Sequence, residues 1–236
     1  MNTADIGRTM TMKMSDLIHV NYHFLLVLKR LNIGLGFKEK SVAEVCLEHN
    51  IPPEFFSMLV RLQLDGRVPT IYNVKRDYFR CLVLYLKNSH DFFIREKLPY
   101  INNLIGRYCA ATNYDAQGLL EKFWREYANE VNNHMEYENS TVFPLIYSIY
   151  DKPERAEFDS HLIRQFELNH DDIAEALLDL KNLLIKYFPK SKNEDLRNEI
   201  IMELFELEAD LQNHQQVENQ ILIPMVKHYS LHTQKE

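Results

Sequence analysis

His90, His134, Glu138, His170, His214 and Glu218 are the residues of this chain whose types and spacing could do chemistry. They form two copies of one pattern at an offset of 80 residues: His90-Asp91 falls on His170-Asp171, and His134, Glu138, Asn139 and Pro144 fall on His214, Glu218, Asn219 and Pro224. Each copy has a single His and, 44 residues later, an H-x-x-x-E-N. The i,i+4 spacing sets His and Glu one helical turn apart on one face, where both reach the same small volume. Four imidazoles and two carboxylates converging in an apolar interior are costly unless something compensates them, and a metal ion does. Imidazole nitrogen with carboxylate oxygen suits two ions of iron or manganese, with zinc the nearest alternative. By symmetry each ion takes two His and one oxygen from each Glu. An oxide or hydroxide bridge then makes about five ligands, and a sixth position stays open to a small molecule.

The elements that must position these residues are helices. Four are expected, over 77–112, 115–150, 153–188 and 193–229, separated by Thr112-Asn113-Tyr114, Asp151-Lys152-Pro153 and Pro189-Lys190-Ser191. Short connections make successive helices antiparallel neighbours. In the second, Leu120, Trp124, Tyr127, Val131, His134, Glu138, Thr141 and Leu145 alternate steps of four and three, which puts the His and Glu on the inward stripe. Leu204, Leu207, Leu211, His214, Glu218, Ile221 and Met225 repeat the rhythm in the fourth, and Ile163, Phe166, His170, Ile173, Leu177, Leu180 and Leu184 do so in the third. The first helix is irregular, and Pro99 inside it is expected to kink it. Counted from the three turns, facing ligands lie 16 against 17, 18 against 21 and 22 against 19 residues away. At about 1.5 Å per residue these mismatches stay within one turn, so the six residues are expected in one layer.

Residues 1–70 read as a small helical domain and 77–236 as the four-helix bundle, so the fold class is all-α. In the first part a helix is expected near Ser15 to Leu31, then a Gly34-Leu35-Gly36 break, a capping-box start at Ser41-Val42-Ala43-Glu44, and a third helix opened by Pro52-Pro53. The turn formers from Asp65 to Thr70 make the linker. His161 is half a turn out of phase with His170 and reads as a surface residue. His19 and His23 are spaced i,i+4 but have no carboxylate partner in the pattern. The acidic run Glu203, Glu206, Glu208 and Asp210 reads as a solvated face or a border of the interior.

Bulk properties narrow the function further. With only 6 Gly and 8 Pro among 236 residues there is little material for turns, which fits long helices. The net charge of -7 argues against nucleic acid or a membrane surface as the main partner. The acid is unevenly placed: up to Lys75 there are 9 basic and 7 acidic residues, against 18 and 27 beyond it. No apolar run is long enough to span a bilayer and the start is polar, so a cytoplasmic protein is expected. Cys46, Cys81 and Cys109 are odd in number and widely spaced, which favours buried thiols over a disulfide framework or a zinc site.

The sequence resembles the hemerythrin-like di-iron proteins, most closely the iron–sulfur cluster repair family. The resemblance rests on Ser89-His90, His134-Met135-x-x-Glu138-x-x-x-x-Phe143-Pro144, His170-Asp171 and His214-x-x-x-Glu218-Asn219-x-x-x-Ile223-Pro224. Asp16-Leu17-Ile18, Asn21, Arg30-Leu31-Asn32-Ile33 and Ser41-Val42-Ala43-Glu44-Val45-Cys46 resemble the small domain that precedes the bundle in that family. Members usually carry a Cys-Cys-Gly-Gly stretch where this chain has Leu35-Gly36-Phe37-Lys38. They also have a further His late in the first bundle helix, where this chain offers Tyr108, Cys109 and Thr112. The resemblance implies a di-iron protein of nitrosative and oxidative stress that restores damaged iron–sulfur clusters by iron delivery or nitric oxide handling. Its partners would be oxygen or nitric oxide as small ligand and iron–sulfur proteins as clients, and a homodimer is compatible with it. Two alternatives are a sensing module for oxygen or nitric oxide with a regulatory partner, and a redox enzyme reducing peroxide or nitric oxide.

Overall fold

The computed structural model describes residues 3–68, 75–111, 117–151, 172–190 and 192–233, and these are helical apart from turns and one isolated bridge between Lys13 and Ser41. The chain is all-α, as the periodicity predicts. It divides into two compact units. One comprises Met1–Ser89, Ile146–Phe158 and Asn213–Glu236, the other His90–Leu145 and Asp159–Gln212. The expected linker, Asp65 to Thr70, falls at 69–70 outside the described residues.

In the first of these units the N-terminal helices are Thr3–Thr11, Met14–Val20, Phe24–Arg30, Val42–Glu48 and Pro53–Asp65. The single helix expected from Ser15 to Leu31 is broken at Asn21, whose side chain accepts the His23 backbone N–H at 3.0 Å while its own backbone is extended. Asparagine makes such local bonds readily and so competes with the helical ladder. The capping box forms as read: Ser41 Oγ accepts from Glu44 N, and the Glu44 carboxylate accepts from Ser41 N at 2.7 Å. Pro53 opens the next helix at its first turn, and Gly66 closes it in the left-handed conformation (φ 65°) that favours glycine.

Contacts of Arg30 fasten these helices to Arg76–Phe92. Asn88 donates to the Arg30 carbonyl at 2.6 Å, and the buried Arg30 guanidinium donates to the Tyr85 hydroxyl and lies 5.6 Å from that ring's centre. In the same unit, Gln220 donates to the Gly66 carbonyl at 3.0 Å and accepts from Val68 N at 3.1 Å.

The second unit is a four-helix arrangement around one core. Leu98, Ile101, Ile105 and Tyr108 meet Leu120, Trp124, Tyr127 and Val131 from a second helix, Leu177, Leu180 and Leu184 from a third, and Ile200, Leu204 and Leu207 from a fourth. The acidic run borders this interior: Glu203 and Glu206 pair with Lys97, and Glu208 pairs with the nearly buried Lys181, whose ammonium lies 4.2 Å from the centre of the Phe205 ring.

The long helices are interrupted in a regular way. Among the described residues the π-turns Phe93–Lys97, Glu138–Val142, Leu183–Tyr187 and Glu218–Leu222 each end two residues before a proline, at Pro99, Pro144, Pro189 and Pro224. Proline cannot donate to the carbonyl four residues back, and its ring clashes with it. Widening the helix by one residue relieves both problems where the helix runs on through Pro99, Pro144 and Pro224, whereas before Pro189 the helix ends at Tyr187 and Phe188 is extended.

The extra residue also explains the irregular first helix, because the buried stripe steps by five from Phe93 to Leu98 before resuming. It corrects the second. The stripe expected at Thr141 and Leu145 moves to Val142, Phe143 and Ile146, which are buried while Thr141 and Leu145 are half-buried.

Candidate metal centre

Glu138 opens one π-turn and Glu218 another, and both follow their His by one α-helical turn. In the first half-site the Glu138 carboxylate is fully buried and its two oxygens face different imidazoles. Oε2 lies 3.0 Å from His90 Nε2, and Oε1 lies 3.0 Å from His134 Nε2. His90 is likewise buried and His134 is nearly so. In the second half-site His214 Nε2 lies 3.1 Å from Glu218 Oε1, with both side chains buried. His90 and Glu138 offer ligand atoms within 4.8 Å of each other, as do His214 and Glu218, and all four residues belong to a buried His/Glu group that could hold a metal ion. His170, the remaining ligand expected from the sequence, lies outside the described residues, as does His161.

The imidazole of His90 is held from three sides by residues that follow one another closely. Nε2 faces Glu138, Nδ1 lies 3.1 Å from Asn139 Oδ1, and the ring stacks on Phe143 with centroids 5.3 Å apart and planes 21° from parallel. The sequence singled out Asn139 only as a repeated letter beside Glu138 and gave Phe143 no part in the site. The signal was there, because H-x-x-x-E-N recurs with its asparagine in both copies.

The donor set is imidazole nitrogen and carboxylate oxygen with no thiolate, which suits iron, manganese or zinc. The cysteines have a different character. All three are free and buried, and burial pushes the Cys46 thiol up to about 12 and the Cys109 thiol up to about 11. At neutral pH they are protonated and are therefore poor metal ligands. Tyr108, in the region where a further His was sought, is buried in the core and packs at 6.1 Å against Phe188. Thr112 is outside the described residues. His19 and His23 share no helix, because the Asn21 break separates them, and His19 is exposed.

Comparison with known proteins agrees with the paired His/Glu geometry. The family model described as the hemerythrin HHE cation binding domain matches residues 100–229, more than half of the chain. The chain belongs to the hemerythrin HHE family. The matched segment contains His134, Glu138, His170, His214 and Glu218 and begins after His90. The chain is also similar to the iron-sulfur cluster repair protein ScdA of Staphylococcus haemolyticus, at 23% identity over 154 residues, which is 64% of this chain and 68% of that protein. Among the described residues no helix is long and apolar enough to cross a membrane.

Proposed function

We propose that this hemerythrin HHE protein binds two iron ions through His90, His134, Glu138, His170, His214 and Glu218, and that it acts in the repair of iron–sulfur clusters under nitrosative or oxidative stress. The observation that carries the reading is Glu138. One buried carboxylate presents its two oxygens to two imidazoles at 3.0 Å each, an arrangement suited to sharing a carboxylate between two ions, and His214 with Glu218 repeats its His–Glu pair. Bound iron would supply one-electron chemistry and a position for a small diatomic ligand. The protein's own residues fix the imidazoles, neutralise charge with two carboxylates and exclude water by burial. Clients would be iron–sulfur proteins that lack or have lost iron. The similarity to a protein named for cluster repair supports that choice over peroxide or nitric oxide turnover.

A second reading, a sensing module, is favoured by one specific contact. Gln220 sits in the π-turn opened by Glu218 and makes two hydrogen bonds to the strip Gly66–Val68 that follows the last N-terminal helix. A change at Glu218 would reach the N-terminal helices by that route. Metal content and the visible spectrum of protein purified without oxygen test the di-iron part. Two irons per chain with the absorption of a coupled iron pair are expected, and zinc or no metal would overturn it. Restoration of activity to a nitric-oxide-damaged iron–sulfur enzyme tests the repair part.

A further inference from the structure

The structure assigns Asn139 a positioning role: its side-chain oxygen accepts the Nδ1 proton of His90 and so holds the Nε2 lone pair of that ring toward the metal. The inference rests on the ligand reading proposed above and extends it to a residue outside that ligand set. Both nitrogens of one buried imidazole are engaged by consecutive residues of one π-turn, Nε2 by Glu138 at 3.0 Å and Nδ1 by Asn139 at 3.1 Å.

An amide oxygen only accepts, so the contact at Nδ1 is a hydrogen bond in the tautomer that carries its proton there, and Nε2 then keeps its lone pair for a metal. Nε2 is the nitrogen that faces the Glu138 carboxylate. A metal-binding His whose second nitrogen is hydrogen-bonded is fixed in ring orientation and made more basic.

Glu138 and Asn139 are consecutive residues of the π-turn Glu138–Val142, and the side chains of both reach the His90 ring. Phe143, at the start of the next helical segment, stacks on the ring and fixes the third direction. Asn139 is itself half-buried, so its amide has an open side and does not serve as core filling.

The test uses full-length protein with Asn139→Leu, which keeps the size but removes the acceptor, and Asn139→Asp, which restores an oxygen at the same reach. Iron(II) affinity is measured without oxygen against a competing chelator, and the Nδ1 proton of His90 is followed by NMR in zinc(II)-loaded protein. Asn139→Leu is expected to weaken iron binding by about 10- to 100-fold and to lose the exchange-protected Nδ1 proton signal. Asn139→Asp is expected to restore both. Unchanged affinity and an unchanged protected proton in Asn139→Leu would overturn the role while leaving the ligand set standing. His90→Ala separates the two ideas: if it leaves iron affinity intact, the ligand reading itself fails, and the role of Asn139 with it.

Discussion

Glu138 and Pro144 stand six residues apart, one opening a π-turn and the other following its end, and Glu218 and Pro224 repeat the relationship 80 residues later. The proline disallows the regular ladder at the carbonyl four residues back, so the widened turn begins at the buried carboxylate of Glu138 and of Glu218. Pro144→Ala should therefore let the helix close into α register. The unloaded protein is expected to be as stable as before or more so, because alanine is the better helix former. Iron affinity is expected to fall by about tenfold, as for a disturbed outer-shell contact. Thermal unfolding without metal, together with chelator competition, checks both halves of that statement.

The six-ligand set makes a comparative prediction. Glu138→Ala and Glu218→Ala should each lower bound iron well below that of His161→Ala, because the first two remove buried oxygens beside imidazoles while His161 is half a turn out of phase with His170. Equal iron in all three variants, measured by elemental analysis, would refute the assignment.

Where related proteins place a further His, this chain offers Tyr108, Cys109 and Thr112. The Cys109 thiol is pushed up by burial, and Tyr108 is packed in the core against Phe188. Cys109→Ser is expected to leave iron content unchanged. Thr112→His should strengthen iron retention against chelators by supplying a neutral nitrogen. If it does nothing while Tyr108→Phe releases iron, a tyrosinate already fills that place.

A fragment from Asp77 to Glu236 keeps all six proposed ligands and should bind metal alone. It loses the Arg30 contacts to Tyr85 and Asn88 and the Gly66 and Val68 bonds to Gln220, so its unfolding temperature should fall relative to the full chain. Iron stoichiometry and circular dichroism of the fragment decide this, and a metal-free or unfolded fragment would count against an independent bundle.

The Ser41–Glu44 capping box gives a pH signature. Hydrogen bonds from the Ser41 backbone and hydroxyl hold the Glu44 carboxyl below its usual 4.5. A carboxyl depressed in the folded state stabilises above its unfolded pKa, and the benefit is lost as pH falls through the lower folded value. Glu44→Gln should thus unfold at a lower temperature than the unaltered protein at pH 7, and the difference should shrink as the pH is taken below 4.5.

The sequence by itself determined the all-α class, the duplicated His/Glu pattern, the inward face of His134 with Glu138 and of His214 with Glu218, and the N-terminal capping box. All of these rest on local periodicity and on residues within a turn of each other. Only the tertiary structure decided the rest. A π-turn adds one residue without altering composition, so the shift of the buried stripe from Thr141 and Leu145 to Val142, Phe143 and Ile146 was hidden from a strict heptad count. The break at Asn21 depends on one side-chain bond winning against the helical ladder. The grip of Asn139 and Phe143 on His90 joins residues about fifty positions apart, and that contact exists only once two helices pack.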